Sequence, residues 1–344
     1  MTILVTGSNG FIGAAVVARL LARGRRDVRA LVRAGSDRWR LDALRERHPH
    51  TPFDVFEGSL ARSSDAARAL EGVDRVYHLA ASLRGSPADM CLNTVVTSKH
   101  LLDAVIRRAD PPRVVLISSF GVYGVSALPK NGMVDESTPI ETEPARRDVY
   151  SATKLRQEQL FWEAHRAGQR GEHAPFELVV LRPGAVYGPG TGAFSGRVGI
   201  QLPGIFLFLG GDNRLPLTYV DNCAEATVLA GESEGQDGRV FNVVDDDLPT
   251  CRDYLDRFRR EVRPVRALPV PYPLLWVGSH AVAWYHRYSG GQLPAIFTPY
   301  KTESIWKGQR FSNARLKALG WRPLVTTEEG LQRTFAHHRE RDAA

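Results

Sequence analysis

The sequence predicts an α/β fold in which a doubly wound parallel sheet is followed by a smaller C-terminal lobe. Short apolar runs alternate with helix-like segments over the first half of the 344-residue chain, which is typical of parallel strands joined by helical crossovers. Beyond Pro183 this alternation stops, and proline and glycine become denser. We therefore predict a sheet domain at residues 1–183 and a lobe at residues 184–344 that is interleaved with it.

The predicted strands are short apolar runs, several of them rich in β-branched residues. They span residues 1–6, 28–32, 53–56, 75–79, 114–118 and 177–181. Ligands of doubly wound sheets bind beyond the carboxyl ends of the strands, so the residues that follow these ends should converge. We expect Gly7, Ala80, Ser119 and Pro183 to line one crevice.

A glycine-rich turn follows the first strand and precedes a predicted helix at residues 14–23. Its glycines are Gly7, Gly10 and Gly13, which permit a tight turn and a close approach of the backbone to a phosphate. The unpaired N–H groups at the start of a helix bind such an anion. Strand, turn and helix together indicate a dinucleotide-binding unit rather than an ordinary turn.

Tyr150 and Lys154 form a second motif, Tyr150-Ser-Ala-Thr-Lys154. Residues four apart on a helix share a face, so the ammonium can lie beside the phenol. A tyrosine with a pKa near ~10 is a poor base at neutral pH, but a neighbouring positive charge favours its phenolate. Such a phenol can exchange a proton with a substrate hydroxyl.

With these two motifs, the chain resembles the extended short-chain dehydrogenase/reductases of the NAD(P)-dependent epimerase/dehydratase family. The resemblance runs from about residue 1 to residue 335 and includes five further stretches. They are Val76-Tyr-His-Leu-Ala-Ala81, Ser118-Ser-Phe-Gly-Val-Tyr-Gly124, Arg182-Pro-Gly-Ala-Val-Tyr-Gly-Pro189, Tyr219-Val-Asp-Asn222 and Leu319-Gly-Trp-Arg-Pro323. It implies a Rossmann-type fold, a nicotinamide cofactor, a small-molecule substrate bound by the C-terminal lobe, and a homodimer.

The resemblance also implies roles for individual residues. Tyr150 is the expected acid/base, Lys154 the partner of the nicotinamide ribose and of the phenol, and Ser119 the hydroxyl that holds the substrate oxygen. Ser118 is the alternative, because neighbouring strand residues face opposite ways; we favour Ser119, five residues before Gly124. The residues implied in cofactor binding are Gly7, Asn9, Gly10, Phe11, Ile12, Gly13, Arg33, Ser59, Leu60, Leu79, Ala80, Ala81, Tyr150, Lys154, Pro183 and Val186.

The end of the second strand favours NADP(H) over NAD(H). An acidic residue there would accept hydrogen bonds from the ribose 2′-hydroxyl of NAD and repel a 2′-phosphate. Here the position is Arg33, with Ser36 and Arg38 close by, while Asp37 lies beyond the expected turn. Ser59 stands where the family usually has an aspartate near the adenine, so one family contact is weakened.

Three polar residues near these motifs have structural interpretations. His78 lies inside an apolar strand and is expected to pack in the core. Asn93 is expected to open a helix, as its cap or as a buried polar residue of the family. Glu158, one turn past Lys154, is expected to form an ion pair on the helix face.

The reaction class is constrained by the residues after Ser119. Dehydratases and decarboxylases of the family use an acidic residue there, whereas this chain has Phe120 and Gly121. Elimination of water and decarboxylation are therefore disfavoured. We predict an oxidoreductase or 4-epimerase that acts on a secondary alcohol or ketone.

The predicted substrate is a nucleotide-linked sugar, whose diphosphate would be bound by Arg214, a shifted match to the family arginine. A 3β-hydroxysteroid dehydrogenase-like enzyme acting on a sterol or another apolar alcohol is the alternative. Asn222 and the apolar segment at residues 271–284 favour it. A non-catalytic sensor of NADP(H) is an alternative of another class, although it would not need Ser119, Tyr150 and Lys154.

Composition limits the partners. The net charge of +7 comes mostly from scattered arginine, without a basic tract, so nucleic-acid binding is not expected. The three cysteines lack a paired spacing, so we expect neither a metal site nor a disulfide framework. No signal peptide is apparent, and we expect a cytoplasmic protein. The prolines of the apolar stretch at residues 267–285 disfavour a membrane-spanning helix, but the stretch admits weak contact with a membrane surface.

Overall fold

The structure is a computed structural model that describes residues 2–144, 147–289 and 298–343. Its strands are β1 (Thr2–Thr6), β2 (Val28–Val32), β3 (Asp54–Glu57), β4 (Val73–His78), β5 (Arg113–Ile117), β6 (Gly132–Val134), β7 (Leu178–Pro183), β8 (Ala185–Tyr187), β9 (Gly199–Leu202), β10 (Ile205–Phe208), β11 (Leu217–Tyr219), β12 (Arg239–Val243), β13 (Ala267–Pro269) and β14 (Gln309–Phe311). Its α-helices are α1 (Phe11–Ala22), α2 (Trp39–Arg47), α3 (Ser63–Ala69), α4 (Pro87–Cys91), α5 (Thr97–Ile106), α6 (Val149–Gln169), α7 (Val220–Glu232), α8 (Cys251–Glu261), α9 (Tyr272–Tyr288), α10 (Pro299–Lys307), α11 (Ala314–Ala318) and α12 (Thr327–Ala343).

The central sheet contains seven described strands in the order β12-β7-β5-β4-β1-β2-β3, and all neighbouring pairs are parallel. The chain builds outward in one direction from β1 and in the other from β4, so the order reverses between these two strands. Ligands of doubly wound sheets bind at such a reversal. The predicted fold class is confirmed, and each predicted strand lies within two residues of an observed one.

Helices cover both faces of the sheet, as the apolar runs require. Val115 and Ile117 of β5 belong to a core that includes residues of α1 and α7. Val114 and Leu116 belong to a second core, shared with α3, α5 and α6. Alternate residues of a strand face opposite sides, so a strand buried on both faces needs a continuous apolar run.

The central sheet includes residues on both sides of the predicted domain boundary at residue 183. β12 lies well inside the predicted lobe, yet it pairs with β7 at the sheet edge, and α7 shares the core of α1. The sheet therefore takes its last strand from beyond residue 183. The rest of the lobe packs β10, α8, α10 and α12 around a separate core. Among the described helices, none has the length and apolar character that crossing a bilayer requires.

Candidate active site

The glycine turn between β1 and α1 needs its glycines for backbone packing. Gly7 has a positive φ of 65°, a conformation that favours glycine. A Cβ at Gly13 would lie 2.0 Å from the carbonyl oxygen of Gly7, so a side chain cannot fit there. At Gly10 a Cβ would meet only that same oxygen within 4 Å, at 3.1 Å. The space in front of Gly10 is therefore open to a ligand.

The start of α1 is prepared for an anion. Gly10 precedes the helix without a side-chain cap, and the first backbone bond into the helix runs from the Ala14 N–H to the Gly10 oxygen. The N–H groups of Phe11, Ile12 and Gly13 consequently have no backbone acceptor among the described residues. Unpaired N–H groups at the positive end of a helix suit a phosphate. The turn therefore fits the pyrophosphate of a dinucleotide.

A buried hydrogen-bond network fixes the residues that follow β4. Thr6 Oγ1 accepts the N–H groups of Leu79 and Ala80, both at 3.2 Å, and is hydrogen-bonded to His78 Nδ1 at 2.7 Å. The other nitrogen of His78 lies 2.8 Å from Ser98 Oγ. His78 is fully buried, as predicted, and burial, reinforced by the nearby Lys154, lowers its pKa to about 3. The ring is thus a neutral positioning group.

Ser119 and Tyr150 come together at the end of β5. The Ser119 hydroxyl lies near the Tyr150 phenol, where it lowers the pKa of that phenol, and it accepts the N–H of Gly121 at 3.0 Å. Ser118 faces the other way and donates its hydroxyl proton to Glu158. Burial raises the pKa of Tyr150, while the nearby Ser119 hydroxyl acts in the opposite direction. Of the two serines, Ser119 is the one placed beside the phenol.

Lys154 is buried one turn after Tyr150 on the same helix, α6. Its ammonium donates to the Ile117 carbonyl oxygen and to Gln157 Oε1. Burial lowers its pKa to about 7, although Glu158 acts to raise it. A buried ammonium must satisfy its donors, and these two oxygens are permanent acceptors. The hydrogen bonds of Lys154 do not include the phenol, so activation of Tyr150 by this cation stays a prediction.

The expectation for Glu158 is wrong, because its partner is not on the helix face. Glu158 forms an ion pair with Arg182 of β7, and the two side chains are only 1% and 3% exposed. Burial alone would raise the pKa of Glu158, but the guanidinium and the hydrogen bonds from Ser118 and Trp162 keep it below its usual range. The pair ties α6, which carries Tyr150, to strand β7 of the central sheet.

The loop after β2 places Arg33, which forms no ion pair with another described residue, near the crevice. Arg33 is exposed just beyond the end of β2. Arg38 instead forms an ion pair with Glu57 at the end of β3. Asn9 donates to the Asp37 carbonyl oxygen at 3.1 Å and so ties the glycine turn to this loop. Arg33 is therefore better placed than Arg38 to meet an added negative charge.

The expectation that Asn93 opens a helix is also wrong. Asn93 lies inside a π-helix at Leu92–Val96 that joins α4 to α5. Its Nδ2 donates to the Asp89 carbonyl oxygen at 2.8 Å, and its Oδ1 accepts from Arg33 at 3.4 Å. The side-chain amide of Asn93 therefore forms a hydrogen bond with Arg33 and does not cap a helix.

Ser59 and Leu60 form the turn between β3 and α3. The Ser59 hydroxyl accepts the N–H of Ala61 at 3.3 Å, and the Ser59 N–H donates to Asp65 at 2.9 Å. The Leu60 side chain packs in the sheet core. Ser59 thus stabilises its own turn, and its contact with an adenine stays a prediction.

The other predicted residues lie at or near the carboxyl ends of the strands of the central sheet. Register aligns the carboxyl ends of β1, β4, β5 and β7. The predicted residues within two positions of these ends are Gly7, Leu79, Ala80, Ser119 and Pro183, with Ala81 one position farther along. Val186 is farther still, in β8, which pairs with β11 of the lobe.

Gln157 is a site residue that sequence reasoning missed. It accepts from Lys154 and donates to Ser98 Oγ at 2.7 Å and to the Ala80 carbonyl oxygen at 3.2 Å. It links the predicted catalytic helix to the end of β4. Its position three residues after Lys154, on the same helix face, was the available signal.

The fold and these contacts define a nicotinamide-dependent enzyme of the extended short-chain dehydrogenase/reductase type. The chain belongs to the NAD dependent epimerase/dehydratase family, whose model matches residues 3–243. The predicted resemblance is thereby confirmed.

Two curated proteins and one solved structure illustrate the relationship. The chain is 26% identical over 358 residues to sterol-4-alpha-carboxylate 3-dehydrogenase, decarboxylating, of Mus musculus, covering 98% of this chain and 91% of that protein. It is 30% identical over 261 residues to 4-hydroxy-2-methyl-3-oxo-4-farnesyl-3,4-dihydroquinoline-1-oxide ketoreductase of Stigmatella aurantiaca, covering 74% and 71%. The UDP-glucuronic acid 4-epimerase of Bacillus cereus, in complex with UDP-glucuronic acid and NAD, superposes with a TM-score of 0.71 at 20% identity, covering 99% of each chain. At that identity the structural likeness shows the fold alone.

Proposed function

We propose that the protein is a nicotinamide-dependent dehydrogenase or ketoreductase acting on a secondary alcohol or ketone of an apolar substrate. The placement of the Ser119 hydroxyl near the Tyr150 phenol, at the strand-end edge that also carries the glycine turn, supports this proposal most directly. Two hydroxyl groups at neighbouring positions can both form hydrogen bonds with one substrate oxygen.

The proposed roles follow from the chemistry of each side chain. A bound nicotinamide supplies hydride transfer. Ser119 would hold the substrate oxygen, and Tyr150 would take the hydroxyl proton on oxidation or return it on reduction. Lys154 would bind the nicotinamide ribose. Because burial raises the pKa of Tyr150, the phenol is protonated and ready to act as an acid; its action as a base depends on a positive charge nearby.

Aromatic rings beside Ser119 support an apolar substrate. The Phe120 ring stacks on Phe311 with centroids 5.5 Å apart and meets Tyr123 edge-on at 5.8 Å. The names of the two curated relatives describe a sterol and a farnesylated quinoline, both largely apolar. Arg214, expected to bind a diphosphate, donates instead to the Leu248 carbonyl oxygen. We therefore place the apolar alcohol ahead of the nucleotide-linked sugar that the sequence favours.

The lack of an acid after Ser119 does not exclude a substrate that loses carbon dioxide. The name of the mouse relative includes decarboxylation. Oxidation of an alcohol whose neighbouring carbon carries a carboxylate yields a β-keto acid, in which the new carbonyl group accepts the electron pair of the breaking C–C bond. Phe120 and Gly121 are compatible with that sequence of events, because no side chain has to supply the electron sink.

A 4-epimerase of a nucleotide-linked sugar is the second candidate, and Arg197 favours it. Its guanidinium forms no ion pair with another described residue, and burial lowers its pKa. It lies over the Phe311 ring at 5.9 Å, and Phe311 stacks on Phe120, next to Ser119. A partly buried guanidinium without a carboxylate partner is suited to a diphosphate.

For the cofactor we propose NADP(H) in preference to NAD(H), with Arg33 as the residue that binds the 2′-phosphate. Arg33→Asp should lower the ratio of NADP to NAD efficiency by ~10-fold or more, because a charge-assisted bond becomes a repulsion. Steady-state kcat/KM for each cofactor measures the ratio. The matched control is Arg239→Asp, the same charge change at the exposed start of β12. An unchanged ratio in Arg33→Asp, or an equal change in both variants, would count against Arg33.

A substrate panel tests the proposed function. Purified protein is mixed with NADP(H) or NAD(H) and a hydroxysteroid, an apolar ketone, or UDP-, GDP- and dTDP-sugars. Nicotinamide absorbance and product identity by chromatography with mass spectrometry are followed together. We expect a net absorbance change with the steroid or the apolar ketone. A new sugar isomer without an absorbance change would establish the epimerase instead, and cofactor binding without turnover of any compound would favour the sensor.

A further inference from the structure

We propose that helix α9 (Tyr272–Tyr288) binds the surface of a membrane that contains anionic lipids. The described part of the chain exposes fifteen large hydrophobic side chains, and six of them lie on this seventeen-residue helix. They are Leu274, Trp276, Val277, Trp284, Tyr285 and Tyr288. Leu274, Trp284 and Tyr288 are 67%, 65% and 77% exposed, and a cluster of exposed apolar residues of this kind marks an interaction surface.

The exposed apolar residues of α9 form a stripe. Leu274, Val277, Ala281, Trp284 and Tyr288 follow one another at spacings of three and four residues. Such residues share one face of a helix. All five are exposed, so the apolar face of this helix points away from the protein.

The opposite side of α9 is attached through a small core. Leu275 is buried against Leu209 and Ile305, and Ser279 is buried one turn later. Leu275 and Ser279 are the two buried positions of the helix. The helix is therefore fixed to the lobe by a narrow contact, and its outer stripe is free to enter a lipid interface.

Charge around α9 favours an anionic surface. No Asp or Glu occurs at any of the residues 262–302. Arg266 and Arg287 are exposed and form no ion pair with another described residue. Basic residues next to an apolar helix are attracted to anionic head groups. Trp and Tyr side chains, such as Trp284 and Tyr288, favour the boundary between head groups and hydrocarbon.

A second copy of the chain is a poorer occupant of this stripe. The stripe extends over two heptads, whereas a coiled-coil seam needs about three to four. The helix carries no acidic residue that would pair with Arg287 of another copy. A lipid surface requires neither a long seam nor a complementary charge on the same helix.

Vesicle sedimentation tests the proposal on the full chain without any substrate. Phosphatidylcholine vesicles, with and without phosphatidylglycerol, are mixed with wild type, with Leu274→Ser/Trp284→Ser, and with the control Trp39→Ser/Leu324→Ser. The control changes a leucine and a tryptophan that are 48% and 57% exposed elsewhere. We expect wild type and control to bind the anionic vesicles, and to bind them more weakly at high salt. The α9 variant should bind at least ~10-fold less, because it lacks two apolar side chains that the membrane would bury.

Absence of wild-type binding, or equal loss in both double variants, would overturn the proposal. Light scattering during size-exclusion chromatography measures the oligomeric state of wild type and of both double variants. If the α9 variant converts a dimer to a monomer while the control does not, the stripe is covered by a second copy and the proposal is wrong. Because no turnover is measured, these results are independent of the proposed enzymatic function.

Discussion

Tyr150→Phe should abolish turnover while leaving cofactor binding close to that of wild type. Removal of a general acid/base lowers the rate by ~10²- to 10⁴-fold, and the phenylalanine ring retains the packing of the half-buried tyrosine. Only the phenolic hydroxyl near Ser119 is lost. Steady-state turnover on the substrate found by the panel, and cofactor affinity from nicotinamide fluorescence, measure the two effects separately.

Tyr123→Phe is the matched control for this variant. The Tyr123 phenol lies four residues after Ser119, is fully buried, and donates to Asn242 Oδ1 at 2.6 Å. Burial raises its pKa to about 12, so it is a poor proton-transfer group. Its loss should affect stability but leave turnover near that of wild type. Near wild-type turnover in Tyr150→Phe, or the same loss in both variants, would contradict an acid/base role for Tyr150.

Arg182→Met should lower the free energy of unfolding by ~3–5 kcal/mol, because it leaves the Glu158 carboxylate buried without its cation. Both side chains are almost completely buried, so water cannot replace the lost partner. The same change removes the guanidinium from its position 4.7 Å over the Tyr123 ring. Denaturant unfolding, with the slope checked for two-state behaviour, measures the loss.

The double variant Arg182→Met/Glu158→Leu separates the cost of an unpaired charge from the loss of packing. Replacement of a buried ion pair by apolar residues of similar volume is often neutral, so the double variant should regain most of the stability. Some loss should persist, since Ser118 and Trp162 also give up the acceptor that Glu158 provides. If the double variant were less stable than Arg182→Met, the pair would not be the origin of the effect.

The sheet and the glycine turn were predictable because their signals are local. A buried parallel strand such as β5 must be apolar at every position, and this run is visible without knowledge of its neighbours. The turn needs glycine at Gly7 for its backbone angle and at Gly13 for space. The shared helix face of Tyr150 and Lys154 follows from spacing alone.

The missed features depend on contacts between distant segments. β12 joins the sheet only after the chain has passed through β11 and α7, and no local pattern specifies its pairing with β7. The partner of Glu158 lies 24 residues away on a strand. The acceptors of Lys154 are likewise set by packing, since one is a backbone carbonyl of β5.

Helix α9 shows the reverse problem. An apolar helical segment is ordinarily interpreted as buried in the core. Its apolar residues were visible in the sequence, but their outward direction follows from which side contacts Leu209 and Ile305. Only the tertiary structure distinguishes a core helix from one with an exposed apolar stripe.

The central claim is that Tyr150 exchanges a proton with a carbinol whose carbon exchanges hydride with the nicotinamide. A single-turnover reaction of wild type with an alcohol deuterated at the carbinol carbon, followed by mass spectrometry of the recovered cofactor, measures this directly. We predict that deuterium appears in the nicotinamide with wild type and with Tyr123→Phe, and not with Tyr150→Phe over the same time. Equal labelling by Tyr150→Phe and wild type, or product formation by wild type without deuterium in the cofactor, would contradict the claim.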